Sequence, residues 1–246
     1  MTSCAHAPEP GLVTGGGGFL GLAIVRALAA RGDRVRSYSR SVHAELKALG
    51  IEQVCGDIAD LRTLEDACAG MEAVFHTAAK PPPWGRTVDY HRTNVLGTQN
   101  VIAACRNTRV PRLIHTSTPS VVFDGRDLEG VDECAPYPAR HTAAYAATKA
   151  LAEQDVVAAA DDRLRTIVLR PHEIWGPGDP HFAPRIIARA GRLRRIGNGR
   201  NRVDTTYIDN AAEAHLLAAD ALKANPGISG RVYFISQGDP IPAWDM

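Results

Sequence analysis

The chain has 246 residues, of which 45% are hydrophobic and 22% charged, a composition typical of a globular protein with one full-sized core. Lys and Arg number 28 against 27 for Asp and Glu, and this formal charge of +1 argues against nucleic acid or an anionic membrane as partner. The sequence has no secretion signal and no apolar run of about 18 residues that would span a membrane. We therefore expect a cytoplasmic protein that acts on a small molecule.

The cysteines give no sign of a metal centre or a disulfide framework. They are widely scattered, odd in number and lack C-x-x-C or Cys/His spacing: Cys4, Cys55, Cys68, Cys105 and Cys134. We expect reduced, buried thiols and no bound metal ion.

The glycine-rich segment TGGGGFLG joins a short apolar run to an amphipathic helix, and the rest of the chain is organised around it. Gly15 allows the tight turn, Gly18 lets backbone amides approach a pyrophosphate, and Gly21 lets the helix lie close to the strand. Phe19 and Leu20 open the helix, whose first amides would face the phosphates. A purely structural turn is the alternative, but the strand–helix–strand setting favours a dinucleotide site.

Both ends of the chain are unusual. Only Gly11, Leu12 and Val13 precede the glycine-rich segment as strand, and Pro8 and Pro10 stand where a central strand donates amides. The pattern therefore predicts a stunted first strand or a start that is not the natural one. The chain stops where the pattern of another helix begins, so we expect a truncated C-terminal part.

The end of the second predicted strand bears on cofactor choice. NAD-specific sites place an acidic residue about 20 positions after the glycines, where it binds the ribose 2′-hydroxyl. This window holds Ser39, Arg40 and Ser41 instead. Arg40 can pair with a 2′-phosphate through its fork of donors, which favours NADP(H) over NAD(H). The alternative is that Arg40 stacks on adenine or faces water.

Two further strand ends are candidate cofactor contacts. Asp57 and Ile58 follow the third strand, where Asp57 can accept a hydrogen bond from the adenine amino group or simply cap a loop. The fourth strand, at 72–76, is followed by the small residues Thr77, Ala78 and Ala79, which would let a cofactor pass close to the backbone. We interpret His76 in that strand as a hydrogen-bonded core histidine and not as a ligand.

Tyr145 and Lys149 lie four residues apart in an alanine-rich helix predicted to run to about residue 160, so they share one face. A tyrosine hydroxyl acts as a base at neutral pH only if its pKa falls from about 10 toward 7. The Lys149 ammonium, together with a positively charged nicotinamide, favours the phenolate in this way. Lys149 can also bind the ribose hydroxyls. A solvated surface pair is the alternative.

Two other polar side chains complete the candidate catalytic set. Thr118 follows the fifth strand and would donate a hydrogen bond to the substrate oxygen, a role that Ser117 and Ser120 can also fill. Asn94 lies midway along a helix predicted at 87–107. It would hold a water molecule or a backbone group behind Lys149, or serve only as a packing amide.

The motifs TGGGGFLG, GDIAD and YAATK together resemble those of the extended short-chain dehydrogenase/reductases. The runs RPHEIWGPGD and TTYIDNAA resemble the 3β-hydroxysteroid dehydrogenase-like branch of that family. STPSVV and YAATKALAEQ are most similar to the reductases of bacterial olefin biosynthesis that act on 2-alkyl-3-oxoalkanoates.

The resemblance implies an α/β fold, a Rossmann-type doubly wound parallel sheet formed by one domain over residues 1–246. Substrate-binding elements would lie within about 172–246, with Pro171 beside the cofactor. It also implies a homodimer and an apolar substrate, either a β-keto or β-hydroxy acid or a sterol-like alcohol. Trp84 and Trp175 would suit such a substrate.

Two other functions compete with this interpretation. A nucleotide-sugar epimerase of the same superfamily would use the same catalytic residues, and the arginines within 192–202 could meet its diphosphate. A dehydratase is disfavoured because Pro119 and Ser120, and not an Asp-Glu pair, follow Thr118. A non-catalytic dinucleotide-binding protein would be expected to have lost Tyr145 and Lys149, and both are present.

Overall fold

The computed structural model describes residues 7–180, 182–192, 194 and 197–245. Strands and helices alternate through most of this length. The strands are β1 Pro10–Thr14, β2 Arg34–Ser39, β3 Glu52–Cys55, β4 Ala73–His76, β5 Arg112–Thr116, β6 Arg165–Pro171, β7 Glu173–Trp175, β8 Arg202–Val203, β9 Thr205–Tyr207, β10 Arg231–Ile235 and β11 Ile241–Pro242. The helices are α1 Phe19–Ala30, α2 Ala44–Ala48, α3 Leu61–Cys68, α4 Thr87–Tyr90, α5 Gly97–Thr108, α6 Ala144–Ala158, α7 Phe182–Arg189 and α8 Ile208–Ala224.

The main sheet has seven strands in the order β3-β2-β1-β4-β5-β6-β10, and every neighbouring pair is parallel. The chain builds outward from β1 to β3 and then returns to place β4 on the other side of β1. Adjacent loops diverge at that reversal, so a crevice opens beyond the carboxyl ends of β1 and β4. The doubly wound sheet expected from the sequence is confirmed.

The first strand is longer than the sequence suggests. It pairs with β2 along its full length, from Pro10 opposite Arg34, and with β4 from Gly11 opposite Ala73. Pro10 is tolerated because it is the first residue of the strand, where only its carbonyl is needed. That carbonyl accepts a hydrogen bond from the amide of Glu72 at 2.8 Å. The expectation of a stunted first strand was therefore wrong.

Helices cover both faces of the sheet and bury two apolar layers. On one face α1 packs against α8, and their layer includes Val13, Ile24, Phe75 and Ile167. On the other face α3, α5 and α6 pack side by side over a layer that includes Leu113. Near-continuous apolar strands are what a parallel sheet buried on both faces requires.

The helix predicted at 87–107 is a composite of three segments. An α-helical start at α4 passes into a π-helix over His91–Leu96 and then into α5. The π-helix places Asn94 at its centre, and π-turns of this kind are frequent at functional sites.

Residues after β6 form two small sheets beside the main one. β7 pairs with β9 in parallel, and β8 pairs with β11 in antiparallel orientation. The sequence predicted one strand near 203–207, and β7 and β11 were missed because they are only three and two residues long. Arg192, Arg194, Arg200 and Arg202 are exposed, whereas Arg195 lies outside the described residues.

The described cysteines are free thiols, but only two of them match the expectation of burial. Cys68 and Cys105 are buried, whereas Cys55 and Cys134 are exposed. No group of three metal-ligating side chains occurs among the described residues. None of the helices in the described part of the chain is long and apolar enough to cross a membrane.

A buried ion pair joins α6 to β6. Arg170 lies within 2.5 Å of the Glu153 carboxylate, and the exposed fractions of the two side chains are 2% and 0%. The hydroxyl of Tyr137 donates a second hydrogen bond to Glu153 at 2.7 Å. A buried pair of this kind contributes little net stability, but removal of one partner leaves an uncompensated charge in the core.

We predict that Glu153→Leu lowers the free energy of unfolding by about 3–5 kcal/mol, because the buried Arg170 guanidinium then lacks its carboxylate. Urea denaturation followed by circular dichroism measures this change. The double variant Glu153→Leu/Arg170→Met should recover much of the loss. A single variant as stable as the unmodified chain would show that the folded protein does not need Glu153 to compensate the charge of Arg170.

Candidate active site

The turn at residues 15–21, after β1, forms an open cradle. Side chains at its glycine positions would fill this space. Gly15 has a φ of +73°, and a Cβ there would lie 3.0 Å from the Ala78 backbone. A Cβ on Gly21 would lie 2.2 Å from the Gly15 carbonyl oxygen, so α1 can begin this close to β1 only with glycine at that position. Gly18 caps α1 without a side-chain hydrogen bond.

The first amides of α1, beginning at Phe19 and Leu20, have no partner within the helix. They lie at the carboxyl edge of the sheet, where the helix dipole favours an anion. The cradle therefore has the shape and the donors that a dinucleotide pyrophosphate requires.

The end of β4 is tied to the glycine turn. The Thr77 hydroxyl donates to the Thr14 carbonyl at 2.8 Å, and the Ala78 amide donates to the Thr14 hydroxyl at 3.3 Å. These contacts bring the segment Thr77, Ala78 and Ala79 against the cradle. A ligand that crosses from the glycine turn toward β5 must pass this segment.

His76 has a hydrogen-bond partner at each ring nitrogen, which agrees with its interpretation as a core histidine. Its Nδ1 lies 2.8 Å from the Thr14 hydroxyl, and its Nε2 lies 2.9 Å from the Thr98 hydroxyl. Complete burial lowers the pKa of His76 to about 3, and the Lys149 ammonium adds to this effect. The ring is therefore neutral at physiological pH.

The side chains predicted for the adenosine end lie at the carboxyl ends of β2 and β3. Arg40 is exposed and follows β2 directly. Asp57 caps the next turn by accepting from the Ala59 amide at 2.9 Å, and its second oxygen accepts from Arg92 at 2.8 Å. Loop capping, the alternative for Asp57, is thus present in the structure. Ile58 is buried.

Tyr145 lies in the first turn of α6, with the Thr118 side chain close enough to its hydroxyl to affect the pKa of the phenol. Burial raises the pKa of Tyr145 to about 12, and the Glu173 carboxylate contributes to the rise, while the Thr118 side chain opposes it. Without a cofactor the phenol is protonated.

Lys149 lies one turn further along α6 and is buried. Its Nζ donates to the Thr116 carbonyl at 2.7 Å and lies 3.2 Å from Nε2 of His115. Burial lowers the pKa of Lys149 to about 8, while the nearby Glu153 carboxylate opposes this shift. The ammonium is therefore held at the end of β5.

Asn94 is buried at the centre of the π-helix. Its Oδ1 accepts from the Lys80 amide at 2.7 Å, and its Nδ2 donates to the Thr148 hydroxyl at 3.1 Å. The side chain therefore holds a backbone group, as the sequence suggested, and contacts α6 at the residue before Lys149.

The residues expected near a substrate lie on separate segments. Trp84 is 83% exposed. Trp175 in β7 makes an edge contact with Tyr207, with ring centroids 5.2 Å apart. Pro171 is the last residue of β6 and is buried. One residue separates it from β7, which lies outside the main sheet.

Three residues of the site were missed by sequence reasoning. His115 contacts Lys149, Thr148 contacts Asn94, and the ring of Tyr90 lies edge-on to Tyr145 at 6.4 Å between centroids. Thr148 stands beside Lys149 in the YAATK motif, a signal that was present in the sequence. His115 and Tyr90 reach the site only through the fold.

Comparison with known proteins places these motifs in a family. The pattern of the 3-beta hydroxysteroid dehydrogenase/isomerase family matches residues 12–246. A 2-alkyl-3-oxoalkanoate reductase from Stenotrophomonas maltophilia is 52% identical over 240 residues, which cover 96% of this chain and 72% of the relative. A decarboxylating sterol-4-alpha-carboxylate 3-dehydrogenase from Mus musculus is 37% identical over 94% of this chain and 65% of its own length.

Solved structures agree on the fold. MoeE5 in complex with UDP-glucuronic acid and NAD superposes with a TM-score of 0.81 at 29% identity, over 96% of this chain and 79% of the other. The UDP-glucose 4-epimerase of Thermus thermophilus in complex with NAD gives 0.76 at 27% identity, over 94% and 79%. Family pattern, relatives and fold all lead to one conclusion: this chain belongs to the 3-beta hydroxysteroid dehydrogenase/isomerase family of extended short-chain dehydrogenase/reductases.

Proposed function

We propose that this protein is an NADP(H)-dependent reductase that converts the ketone of an apolar β-keto acid to a secondary alcohol, with Tyr145 as the proton donor. The observation that carries the proposal is the placement of Tyr145 and Thr118 together with the buried Lys149 ammonium at the carboxyl end of β5, the same sheet edge as the glycine cradle. The 52% identical relative is named as a reductase of 2-alkyl-3-oxoalkanoates, a substrate of this chemistry.

The residues present fit a nicotinamide dinucleotide. The close approach at Gly15 and Gly21 leaves backbone amides, and no side chain, to meet the pyrophosphate. Arg40 would offer a guanidinium fork to a 2′-phosphate, and Asp57 and Ile58, which follow β3, would hold the adenine. When bound, the nicotinamide supplies the hydride that reduces the carbonyl carbon.

Tyr145 donates its proton to the substrate oxygen as negative charge develops there. A phenol that is protonated at physiological pH suits this direction, because reduction consumes a proton. The Thr118 hydroxyl donates a second hydrogen bond to the same oxygen. Lys149 binds the ribose hydroxyls and, being charged, stabilises the phenolate that remains. Asn94 keeps the Lys80 backbone and Thr148 in place behind this pair.

We further propose where the substrate binds. Substrate-binding elements lie within about 172–246, where Trp175 and Tyr207 form an aromatic edge suited to an alkyl or sterol-like group. We propose a cytoplasmic homodimer. A nucleotide-sugar epimerase remains the rival function, since the fold matches enzymes solved with UDP-sugars. Those matches are under 30% identical, whereas the reductase relative is 52% identical.

We predict that Tyr145→Phe lowers kcat for reduction of a 2-alkyl-3-oxo acid by about 10³-fold, because it removes the proton donor. Absorbance of the reduced nicotinamide at saturating substrate measures kcat, and quenching of protein fluorescence measures cofactor binding, which should be retained. Tyr233→Phe is the matched control, since Tyr233 of β10 is another partly buried tyrosine and packs against the apolar layer on the face of the sheet opposite α6. A Tyr145→Phe enzyme as fast as the unmodified one would refute the assignment of Tyr145.

The same assay separates the rival function. Interconversion of UDP-sugars without net oxidation of the cofactor, and without reduction of β-keto acids, would identify an epimerase.

We predict that Arg40→Ala weakens NADP(H) binding by about tenfold or more and leaves NAD(H) binding nearly unchanged, because only the 2′-phosphate requires the guanidinium. Fluorescence titration with both cofactors gives the two dissociation constants. Arg163→Ala makes the same charge change at the amino-terminal edge of the sheet and should alter neither. Equal losses for both cofactors would show that Arg40 does not select NADP(H).

A further inference from the structure

We propose that His115 is a positioning residue for Lys149: its Nε2 accepts a hydrogen bond from the ammonium and keeps Lys149 charged and in place at the carboxyl end of β5. The effect of His115 on turnover rests on the function proposed above, but its effect on Lys149 itself does not.

The geometry determines which atom donates. The Lys149 Nζ lies 2.7 Å from the Thr116 carbonyl oxygen and 3.2 Å from Nε2 of His115. An ammonium group carries only donors, so Nε2 of His115 must accept. The proton of the neutral ring then lies on Nδ1.

Burial of His115 lowers the stability of the fold, which argues that the residue has a role other than packing. His115 is fully buried in β5, and among the described residues its Nδ1 has no hydrogen-bond partner. A buried donor without a partner destabilises a fold, and an apolar ring of similar size would avoid the penalty. An apolar ring would, however, offer Lys149 no acceptor.

The other titratable groups around this pair make no hydrogen bond to the ammonium in the described part of the chain. Those that face His115 or Lys149 from the packed elements are His76 of β4, Tyr145 and Glu153 of α6, and His215 of α8. Glu153 is bonded to Arg170 and Tyr137. His215 is bonded to the Thr116 hydroxyl and the Ala211 carbonyl. In the described part of the chain, one carbonyl and one imidazole therefore serve as the hydrogen-bond acceptors of the ammonium.

This environment makes the charge of Lys149 sensitive to each acceptor. Burial already lowers the pKa of Lys149 to about 8, so that its charged form is only modestly favoured near neutral pH. A hydrogen bond to the charged form favours that form. Loss of the His115 acceptor therefore lowers the pKa of Lys149 further.

Nitrogen NMR of the cofactor-free protein tests the proposal directly. The chain contains only four lysines, Lys47, Lys80, Lys149 and Lys223, so selective ¹⁵N-lysine labelling resolves each Nζ, and Lys149→Arg assigns its signal. We expect His115→Phe to lower the titration midpoint of Lys149 by about one pH unit. His115→Gln, whose amide oxygen restores an acceptor, should return it toward the original value.

His172→Phe is the matched control, because it replaces another histidine, which is partly buried, packs against Phe234 and does not contact Lys149. It should leave the Lys149 midpoint unchanged. Identical midpoints in the unmodified, His115→Phe and His115→Gln proteins would overturn the proposal. Should His115→Phe not fold, ¹⁵N shifts of the unmodified protein still decide: a proton on Nδ1 of His115 supports the proposal, and a proton on Nε2 refutes it.

Turnover supplies a separate readout. The alkaline limb of kcat/KM should move to lower pH in His115→Phe and recover in His115→Gln, since Lys149 must be charged to act. A shifted Lys149 midpoint in a protein without reductase activity would refute the proposed function and leave the role of His115 standing. Reductase activity with an unshifted alkaline limb in His115→Phe would refute the role of His115 alone.

Discussion

The site depends on one buried ammonium. Lys149 is buried, where an ammonium without hydrogen-bond partners destabilises the fold. Among the described residues, the Thr116 carbonyl and the His115 imidazole accept hydrogen bonds from it. This arrangement requires α6 to lie directly over the end of β5. It also explains why the same helix face carries Tyr145, Lys149 and Glu153 at successive turns, since each of these groups is set against a partner from the neighbouring strands and loops.

The glycine cradle and the catalytic helix are joined by a directional chain of hydrogen bonds. The Thr98 hydroxyl donates to the Asn94 carbonyl at 2.7 Å, so it must accept from Nε2 of His76, and Nδ1 of His76 then accepts from the Thr14 hydroxyl. Thr14 ends β1, and Asn94 occupies the π-helix. A neutral histidine thus fixes the glycine turn relative to the Asn94 amide, which contacts α6.

Burial has opposite consequences for the two groups that the proposed chemistry uses. It raises the pKa of the Tyr145 phenol and lowers that of the Lys149 ammonium, because in each case the charged form is the one that loses hydration. In the cofactor-free protein the phenol therefore retains its proton, and the lysine is mostly charged at neutral pH but loses its charge as the pH rises through about 8. This state is prepared for proton donation, and the acceptors around Lys149 control how far it extends into alkaline pH.

The sequence by itself determined the alternation of strands and helices, the glycine turn at Gly15 and Gly21, and the shared helix face of Tyr145 and Lys149. These features follow from local rules: apolar periodicity, the lack of a Cβ and the spacing of a helical turn. Only the tertiary structure decided that Pro10 belongs to a full first strand, that a π-helix surrounds Asn94, and that residues of β5 bind Lys149. Each of these depends on contacts between segments that are distant in the sequence: Pro10 pairs with Arg34, Asn94 contacts Thr148 at a separation of 54 residues, and Lys149 contacts His115 at a separation of 34. No local pattern encodes such contacts.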